Sequence, residues 1–294
     1  MAGNEDSNRS MTLETPGLGP ALSATIVTPD LDASLDAWTG HLHQHIHERG
    51  RIGPEQARRW GCDDLTGARQ AWLANTIGEA WLRLIEVRNA EVVDPFCHRG
   101  WLSLEISVQD VDALGRELES SPFEIIGTPK NLDVSDDIRA MQVLGPAGEV
   151  LYLTEVKAAV PPFELPFARC PVDRLFIPVM LVDDRESALE FYQRFPRLAA
   201  LKFETKITVI NRARRLDVER QHPVATIQLK GKNLIEIDQL DGLRDRPVSA
   251  AGLPGGIALI TFAVESIPDG LCSGDGVSVY HGNGGELIEL IEIT

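Results

Sequence analysis

The sequence predicts an α+β protein made of four copies of one module, in which a strand and a helix are followed by three further strands. Two observations indicate this fold class: similar segments open the four copies, and similar apolar strands close them. Because a missed repeat leads to a wrong fold for the whole chain, the repeat is the first pattern to establish. The four copies together span residues 20–293.

The opening segments share an apolar strand and an acidic turn, and the first three continue into a short helix. They are SATIVTPDLDASLDAW (23–38), SLEISVQDVDALGREL (103–118), FIPVMLVDDRESALEFY (176–192) and LITFAVESIPDG (259–270). In the first copy Leu31, Leu35 and Trp38 recur at helical spacing, which predicts a helix with one buried face. Asp30 or Asp32 can cap it, and Asp110 can cap the helix of the second copy, because the first backbone N–H groups of a helix lack partners.

The closing strands are also alike. They are WLRLIEV (81–87), VLYLTEV (150–156), NLIEIDQL (233–240) and LIELIEI (287–293). Two of them follow the glycine turns GPAG (145–148) and GNGG (282–285), which are typical of hairpins. The fourth copy is short, and its linker PDGLCSGDG (268–276) contains too much Gly and Pro for a helix, so we expect that copy to lack one.

Domain organisation is predicted from a proline-rich break. The segment AAVPPFELPF (158–167) contains three prolines, which favour an extended connector. We therefore expect a first domain at 19–157, a linker at 158–170 and a second domain at 171–294, with two modules in each. Residues 1–18 are rich in polar residues, Gly and Pro, and we expect them to be disordered.

The charge balance limits the classes of partner. Lys and Arg number 28 against 44 Asp and Glu, which gives a net charge of −16. Nucleic acids and anionic membranes both require a basic surface, so neither is expected as a partner. The expected partner is a small-molecule ligand, and the sequence leaves the choice between a monomer and a homodimer open.

Cysteine usage and the first residues predict a cytoplasmic protein. Cys62, Cys97, Cys170 and Cys272 are scattered and form no CxxC pair, so structural zinc is not expected and reduced thiols are. The segment Met1–Ser10 is polar and does not resemble a signal peptide.

The order and number of these modules resemble the vicinal-oxygen-chelate superfamily, which includes glyoxalases, bleomycin-resistance proteins and extradiol dioxygenases. The best-matching motifs are DLDASLDAW, DVDALGREL, GPAGEVLYLTEV and GGELIELIE. The resemblance implies that modules pair into curved, eight-stranded mixed sheets, and that an active site lies on the concave face. Four modules then form two half-barrel domains.

The resemblance also implies a divalent metal ion, held by two histidines and a glutamate. The corresponding positions carry Ser23, Phe176, Ser103, Leu259, Tyr152 and Glu289, with Arg83 and Glu236 on the other closing strands. Of these side chains, Glu289 alone suits the triad. We therefore expect no metal cofactor, and a divalent metal in a rearranged site is the alternative.

A run of histidines stands out in GHLHQHIHERG (40–50). Alternate residues of a strand share one face, so His43, His45 and His47 are expected to face the cavity. They could form a metal or acid–base cluster. The simpler interpretation is a solvated end of a strand.

Three charged side chains on closing strands are further candidates. Arg83 could bind a carboxylate of a substrate, or form an internal salt bridge with Glu105 or Glu86. Glu236 and Glu289 occupy equivalent places in the last two modules and are expected to face each other across one cavity. Close carboxylates shift each other's pKa, which suits proton transfer. Exposed acids at strand ends are the alternative.

One insertion in the first module could cover a cavity. The segment GPEQARRWGC (53–62) predicts a helix between two strands, carrying Arg58, Arg59 and Trp60. Such a helix can act as a lid over a ligand. Alternatively, it is a surface helix with two solvated arginines.

The functional prediction is a metal-independent isomerase, lyase or hydrolase that acts on an oxygenated organic acid, with aromatic acids among the candidates. The alternatives are a non-catalytic metabolite-binding or drug-binding protein of the resistance type, and an extradiol-dioxygenase-like metalloenzyme. We expect the site in the first domain, where Arg83, Tyr152 and the histidines would meet. The candidate catalytic residues are His45, Tyr152 and Glu289, and the candidate substrate-binding residues are Arg83, Ser23, Ser103, His43 and Glu236.

Overall fold

The computed structural model describes residues 15–133, 135–268 and 276–293. Within these ranges the chain forms fifteen strands and five α-helices. The strands are β1 (Leu18–Thr28), β2 (His45–Arg51), β3 (Arg69–Ala74), β4 (Ala80–Glu86), β5 (Gly100–Val108), β6 (Glu124–Leu132), β7 (Ser135–Leu144), β8 (Val150–Val156), β9 (Val172–Val182), β10 (Ala200–Lys206), β11 (Gln221–Leu229), β12 (Asn233–Gln239), β13 (Gly256–Val264), β14 (Val277–His281) and β15 (Leu287–Glu292). The helices are α1 (Leu31–His41), α2 (Pro54–Arg59), α3 (Val111–Leu118), α4 (Arg185–Tyr192) and α5 (Thr208–Ala213).

These strands form two mixed sheets. The first sheet has seven strands in the order β14-β15-β13-β1-β4-β3-β2. The second has eight, in the order β10-β11-β12-β9-β5-β8-β7-β6. In each sheet, two opening strands pair in an antiparallel manner at the centre, and each has a closing strand parallel to it on its other side. The predicted fold class, with strand–helix–strand modules paired into two curved sheets, is confirmed.

The pairing of the modules differs from the prediction. The first module shares its sheet with the fourth, through β1 and β13, and the second shares its sheet with the third, through β5 and β9. The expectation that neighbouring modules of each half pair with each other is therefore wrong. The connector at 158–170 contains neither helix nor strand, but it joins two modules of one sheet. The expected domain bounds remain a prediction.

Local sequence signals explain the helices. The carboxylates of Asp30 and Asp110 accept hydrogen bonds from backbone N–H groups of the first turn, as predicted for caps. Leu31, Leu35 and Trp38 form the buried face of α1. No helix in the described ranges is long and apolar enough to cross a membrane. Most of the N-terminal segment expected to be disordered (residues 1–14), Cys272 and most of the linker at 268–276 lie outside the described residues.

Two buried glutamates connect the sheets. Trp38 Nε1 of the first module donates a hydrogen bond to Glu149 Oε1 of the second, at 3.1 Å. At the equivalent place in the other half, Tyr192 Oη of the third module donates to Glu286 Oε1 of the fourth, at 2.9 Å. Burial raises the pKa of both glutamates to about 7. Each glutamate directly follows a glycine turn, and its hydrogen bond joins two modules that belong to different sheets.

The raised pKa values of Glu149 and Glu286 lead us to expect that the stability of the fold decreases as pH rises. An acid with a raised pKa stabilises the fold below its unfolded pKa, and the contribution is lost as pH rises through its folded value of about 7. We expect the free energy of unfolding to decrease between pH 5 and 8. Glu286→Gln should reduce this decrease by on the order of 1–3 kcal/mol, because a neutral amide has no charge to desolvate.

Urea unfolding at several pH values measures this effect. Glu292→Gln is the matched control, because Glu292 is exposed at the end of the following strand. Equal pH dependence in the Glu286→Gln variant and the unmodified protein would contradict the prediction.

Candidate functional sites

The second sheet encloses a cavity of about 220 Å³, which we call the acid cavity. Its floor is formed by Glu105, Tyr152, Ile177 and Glu236, from the four central strands β5, β8, β9 and β12. Apolar side chains form much of its wall, among them Phe163, Leu165, Phe203 and Leu234. The cavity therefore combines two carboxyl groups and a phenol with an apolar enclosure.

Strand register explains why these floor residues meet. Glu105 is the partner of Tyr152 in the parallel pair of β5 and β8, and of Ile177 in the antiparallel pair of β5 and β9. Glu236 is next to Val179 in the parallel pair of β12 and β9. Paired residues of adjacent strands project to the same face of a sheet. The two opening strands β5 and β9 and the two closing strands β8 and β12 therefore place these side chains on one face.

The carboxyl groups in and beside the acid cavity have raised pKa values. Burial, and then the nearby Glu236, raise the pKa of Glu105 to about 8, although Thr154 Oγ1 donates to its Oε1 at 2.7 Å. Burial raises the pKa of Glu236 to about 7. Burial also raises the pKa of Asp238 well above its usual range, and neither of its oxygens has a hydrogen-bond partner among the described residues. Like charges this close in an apolar site cannot all be ionised.

Tyr152 adds a hydroxyl to the same floor. Its Oη makes no hydrogen bond of good geometry in the described part of the chain, but the side chain of Ser103 lies close enough to hydrogen-bond to it and to offset part of the rise in its pKa. Burial, followed by the nearby acids, raises the pKa of Tyr152 well above its usual range. The phenol is therefore protonated at neutral pH and available to donate to an oxygen of a ligand.

The first sheet contains a second arrangement, centred on Arg83. Its Nε donates to Thr25 Oγ1 at 3.0 Å, and its guanidinium carbon lies over the rings of both Trp60 and Trp72, at 4.4 and 4.7 Å from their centroids. Its Nη2 lies 3.9 Å from Glu289 Oε2. Burial lowers the pKa of Arg83 to about 10, so it is charged at neutral pH.

Glu289 is the internal counter-charge of Arg83. Its Oε1 accepts a hydrogen bond from Trp60 Nε1 at 2.8 Å, and its Oε2 accepts one from Thr261 Oγ1 at 3.0 Å. The salt-bridge interpretation of Arg83 thus has structural support, but with a partner other than the expected Glu105 or Glu86.

The expected groups of site residues are divided differently. Arg83 and Tyr152 do not share a cavity, and Glu236 and Glu289 do not face each other, because each pair is split between the two sheets. Ser23 lies near Arg83 and Glu289 in the first sheet, and Ser103 lies beside Tyr152 in the second. These corrections all follow from the module pairing.

The histidines lie outside both cavities. His43 is in a left-handed backbone conformation before β2 (φ 52°), and its Nε2 is 2.9 Å from Glu117 Oε2. His45 and His47 are exposed on β2, the edge strand of the first sheet. The predicted cavity-facing cluster is therefore wrong: β2 begins only at His45, and all its residues are exposed.

Among the described residues, neither sheet brings together the two histidines and one glutamate that the family resemblance implies. In the first sheet the available groups are a guanidinium, hydroxyls and one carboxylate whose two oxygens already accept hydrogen bonds. In the second sheet, Phe176 occupies the position expected for a histidine, and the neighbouring Ile177 lines the cavity. Among the described residues, no three His, Cys, Asp or Glu side chains lie where they could hold a metal ion.

The sequence analysis did not assign Glu105, Thr25 and Thr261 to a site. Glu105 lines the acid cavity, and Thr25 and Thr261 hydrogen-bond to Arg83 and Glu289. Strand alternation could have found Glu105, because it follows Ser103 by two residues and so shares its face. Thr25 has the same relation to Ser23. Thr261 could be assigned only after the pairing of β13 with β1 was known.

Comparisons with known proteins agree with this architecture. No protein family model and no curated protein matches the chain. Among solved structures, glyoxalase I from Zea mays superposes with a TM-score of 0.59 at 14% identity, over 92% of each chain. The chain has the vicinal-oxygen-chelate fold. A putative dioxygenase from Bacillus subtilis subsp. subtilis str. 168 has a TM-score of 0.60 at 11% identity, over 94% of this chain and 85% of that one. At such identities the vicinal-oxygen-chelate likeness concerns the fold alone, so chemistry must be argued from the residues.

The buried ion pair predicts a strong stability effect. Arg83→Met should lower the free energy of unfolding by about 3 kcal/mol, because the carboxylate of Glu289 then remains buried without a cation. Adding Glu289→Gln should recover at least half of this loss. Urea unfolding of the single and double variants measures both values.

An exposed pair of the same sheet serves as control. Arg49 lies 3.8 Å from Asp32 at the surface, so Arg49→Met should change stability by less than about 1 kcal/mol. If the double variant is as unstable as the sum of the two single variants, the two charges do not compensate each other.

Proposed function

We propose that the chain is a metal-independent enzyme, an isomerase or lyase, that transfers a proton on an oxygenated small molecule bound in the acid cavity. The observation that carries the proposal is the pair Glu105 and Glu236, two carboxyl groups in one apolar cavity. Proton transfer by positioned carboxyl groups requires pKa values near the working pH, and burial supplies this shift.

The two carboxyl groups suit opposite roles. Glu236 faces the cavity with a pKa of about 7, so a large fraction is ionised at neutral pH and can accept a proton from carbon. Glu105, with a pKa of about 8, is mainly protonated and can donate to an oxygen of the substrate. The hydroxyl of Tyr152 can donate a second hydrogen bond to that oxygen. Abstraction of the proton and protonation of the oxygen together convert a carbonyl compound to its enol.

The walls indicate the class of substrate. Phe163, Phe203 and Leu234 favour an aromatic or branched aliphatic body. A carboxylate would be repelled at the floor, where acids cluster, and would find a cation at the mouth. Lys130 lies there, exposed, and donates to Thr208 Oγ1 at 3.3 Å. The expected organic acid would therefore bind with its carbonyl towards Glu105 and its carboxylate outward.

The apolar enclosure also favours a second candidate, a non-catalytic protein that sequesters an apolar metabolite or drug. Both candidates require binding in the acid cavity. They differ in whether Glu236 removes a proton from the bound molecule.

Exchange of carbon-bound hydrogen with solvent tests the proposal. Untagged protein in D₂O would be incubated with aromatic and branched aliphatic ketones and keto acids, and deuterium beside the carbonyl measured by mass spectrometry. We expect incorporation whose rate rises as Glu236 ionises near pH 7 and falls as Glu105 deprotonates near pH 8. Glu236→Gln should reduce the rate by about a hundredfold.

Two controls make the result specific. Glu204→Gln makes the same change at an exposed position of the same sheet and should leave the rate unchanged. EDTA should also leave it unchanged. Binding without deuterium incorporation would instead support the non-catalytic candidate, and loss of exchange in EDTA would contradict a metal-independent enzyme.

A further inference from the structure

We infer that two copies of the chain associate through β10, by antiparallel pairing of this strand with the β10 of a second copy. β10 (Ala200–Lys206) is an outer strand of the second sheet, and its inner side pairs with β11. The backbone N–H and C=O groups on the outer side of such a strand have no partner in the sheet, so they can pair with another strand. Association would join two copies of the second sheet into one continuous sheet.

Regular geometry distinguishes β10 from the other outer strands, which are β2, β6 and β14. The pairing of β10 with β11 has no register shift. In contrast, β2 has a shift between Ile46 and Glu48, and β6 has shifts at three places. β14 is regular but has 5 residues against 7 in β10. Bulges and short strands protect an edge against pairing with another chain, and β10 has neither protection.

The two faces of β10 carry different side chains. Phe203 and Thr205 line the acid cavity, and strand alternation places Leu201 on that same face. Lys202 contacts helix α4 and therefore lies on the opposite face, together with Glu204. Leu201 is 44% exposed, so an apolar side chain of this edge remains open to a partner.

Two-fold symmetry limits which residues can face each other. Residues directly opposite in an antiparallel pair project to the same face, so two identical strands must pair around one central residue. With Phe203 at the centre, its ring lies beside Phe203 of the partner subunit, and Leu201 lies beside the partner's Thr205. The two acid cavities then adjoin at the symmetry axis, because Phe203 lines the wall of each.

Charge complementarity selects this register. With Lys202 or Glu204 at the centre, two like charges would face each other, which is destabilising. With Phe203 at the centre, Lys202 faces the partner's Glu204, and the symmetry repeats this pair. The carboxylate of Glu204 has no ion pair within the described ranges. Lys202 already pairs with Glu186, but its ammonium has three donors and is 43% exposed, so it can bridge both carboxylates.

The paired segment is short, which makes the association weak. Lys206, at the end of β10, pairs with Asp133 and Glu219 of its own chain, so the pairing is centred on Leu201–Thr205. Two such segments bury less surface than a permanent dimer requires. We therefore expect a dimer with a dissociation constant on the order of 10–100 μM.

Sedimentation equilibrium of the full, untagged chain tests the inference, and a monomer–dimer equilibrium is expected. Glu204→Lys places lysines opposite each other, and Lys202→Glu places glutamates opposite each other. Each variant alone should therefore dimerise at least about tenfold more weakly than the unmodified protein. An equimolar mixture of the two variants should recover the association, because each lysine then faces a glutamate. A variant that is merely unstable would not be rescued by the other.

Glu48→Lys is the matched control, because it makes the same change on the exposed outer strand of the first sheet and should leave dimerisation unchanged. Hydrogen exchange should show protection of β10, and not of β2, that rises with protein concentration. A chain that stays monomeric up to about 1 mM would overturn the inference. So would a dimer that neither variant weakens, or a mixture of variants that does not associate.

This inference does not depend on the proposed function. The floor of each acid cavity is complete within one copy, so the dimer is not required for deuterium exchange. Failure of that exchange would leave the inference intact, and a monomeric chain would leave the proposed function intact.

Discussion

The antiparallel pairing of the opening strands is the constraint on which the rest of the structure depends. Once β1 pairs with β13 and β5 with β9, the parallel closing strands lie on either side of each pair. Side chains of a strand alternate between faces, so this pairing alone determines which polar groups share a cavity. Arg83 therefore meets Glu289, although the two residues are far apart in sequence. By the same rule Glu236 lies in one cavity with Tyr152.

The sequence predicts the modules better than their arrangement. The closing strand 150–156 is found as predicted, and the others agree within a residue at each end, because apolar alternation and glycine turns are local signals. The family resemblance also suggested cavity positions for Arg83 and Glu236, and each residue lines a cavity, although not with the expected partners. What the sequence could not determine was the partner of each module, since four similar modules present similar edges. The prediction that the histidines face a cavity was wrong for another reason. Alternation predicts which residues share a face of a strand, but not whether that strand lies at the edge of its sheet.

The two cavities solve the same electrostatic problem in different ways. An isolated carboxylate is too costly to bury in an apolar interior, so it must be paired with a cation or protonated. In the first sheet Glu289 is paired with Arg83 and receives two further hydrogen bonds. In the second sheet no arginine lines the acid cavity. Burial raises the pKa values of Glu105, Glu236 and Asp238, and neighbouring acids add to the rise for Glu105 and Asp238. Lys130 and Lys206 also line this cavity, but Lys130 donates to Thr208 and Lys206 is paired with Asp133 and Glu219. Protonation is therefore the route to neutrality for the buried acids.

This difference connects the fold to its chemistry. A sheet position that faces a closed cavity is a place where charge must be compensated, whatever the compensating group is. Where Arg83 compensates, the compensating group gains or loses no proton near neutral pH, because its pKa of about 10 leaves it charged. Where protons compensate, the same carboxyl groups must gain and lose them near pH 7, and this is the property that general acid–base catalysis requires. The proton transfer that we propose belongs to the second sheet, because among the described residues an arginine occupies a closing strand in only the first sheet.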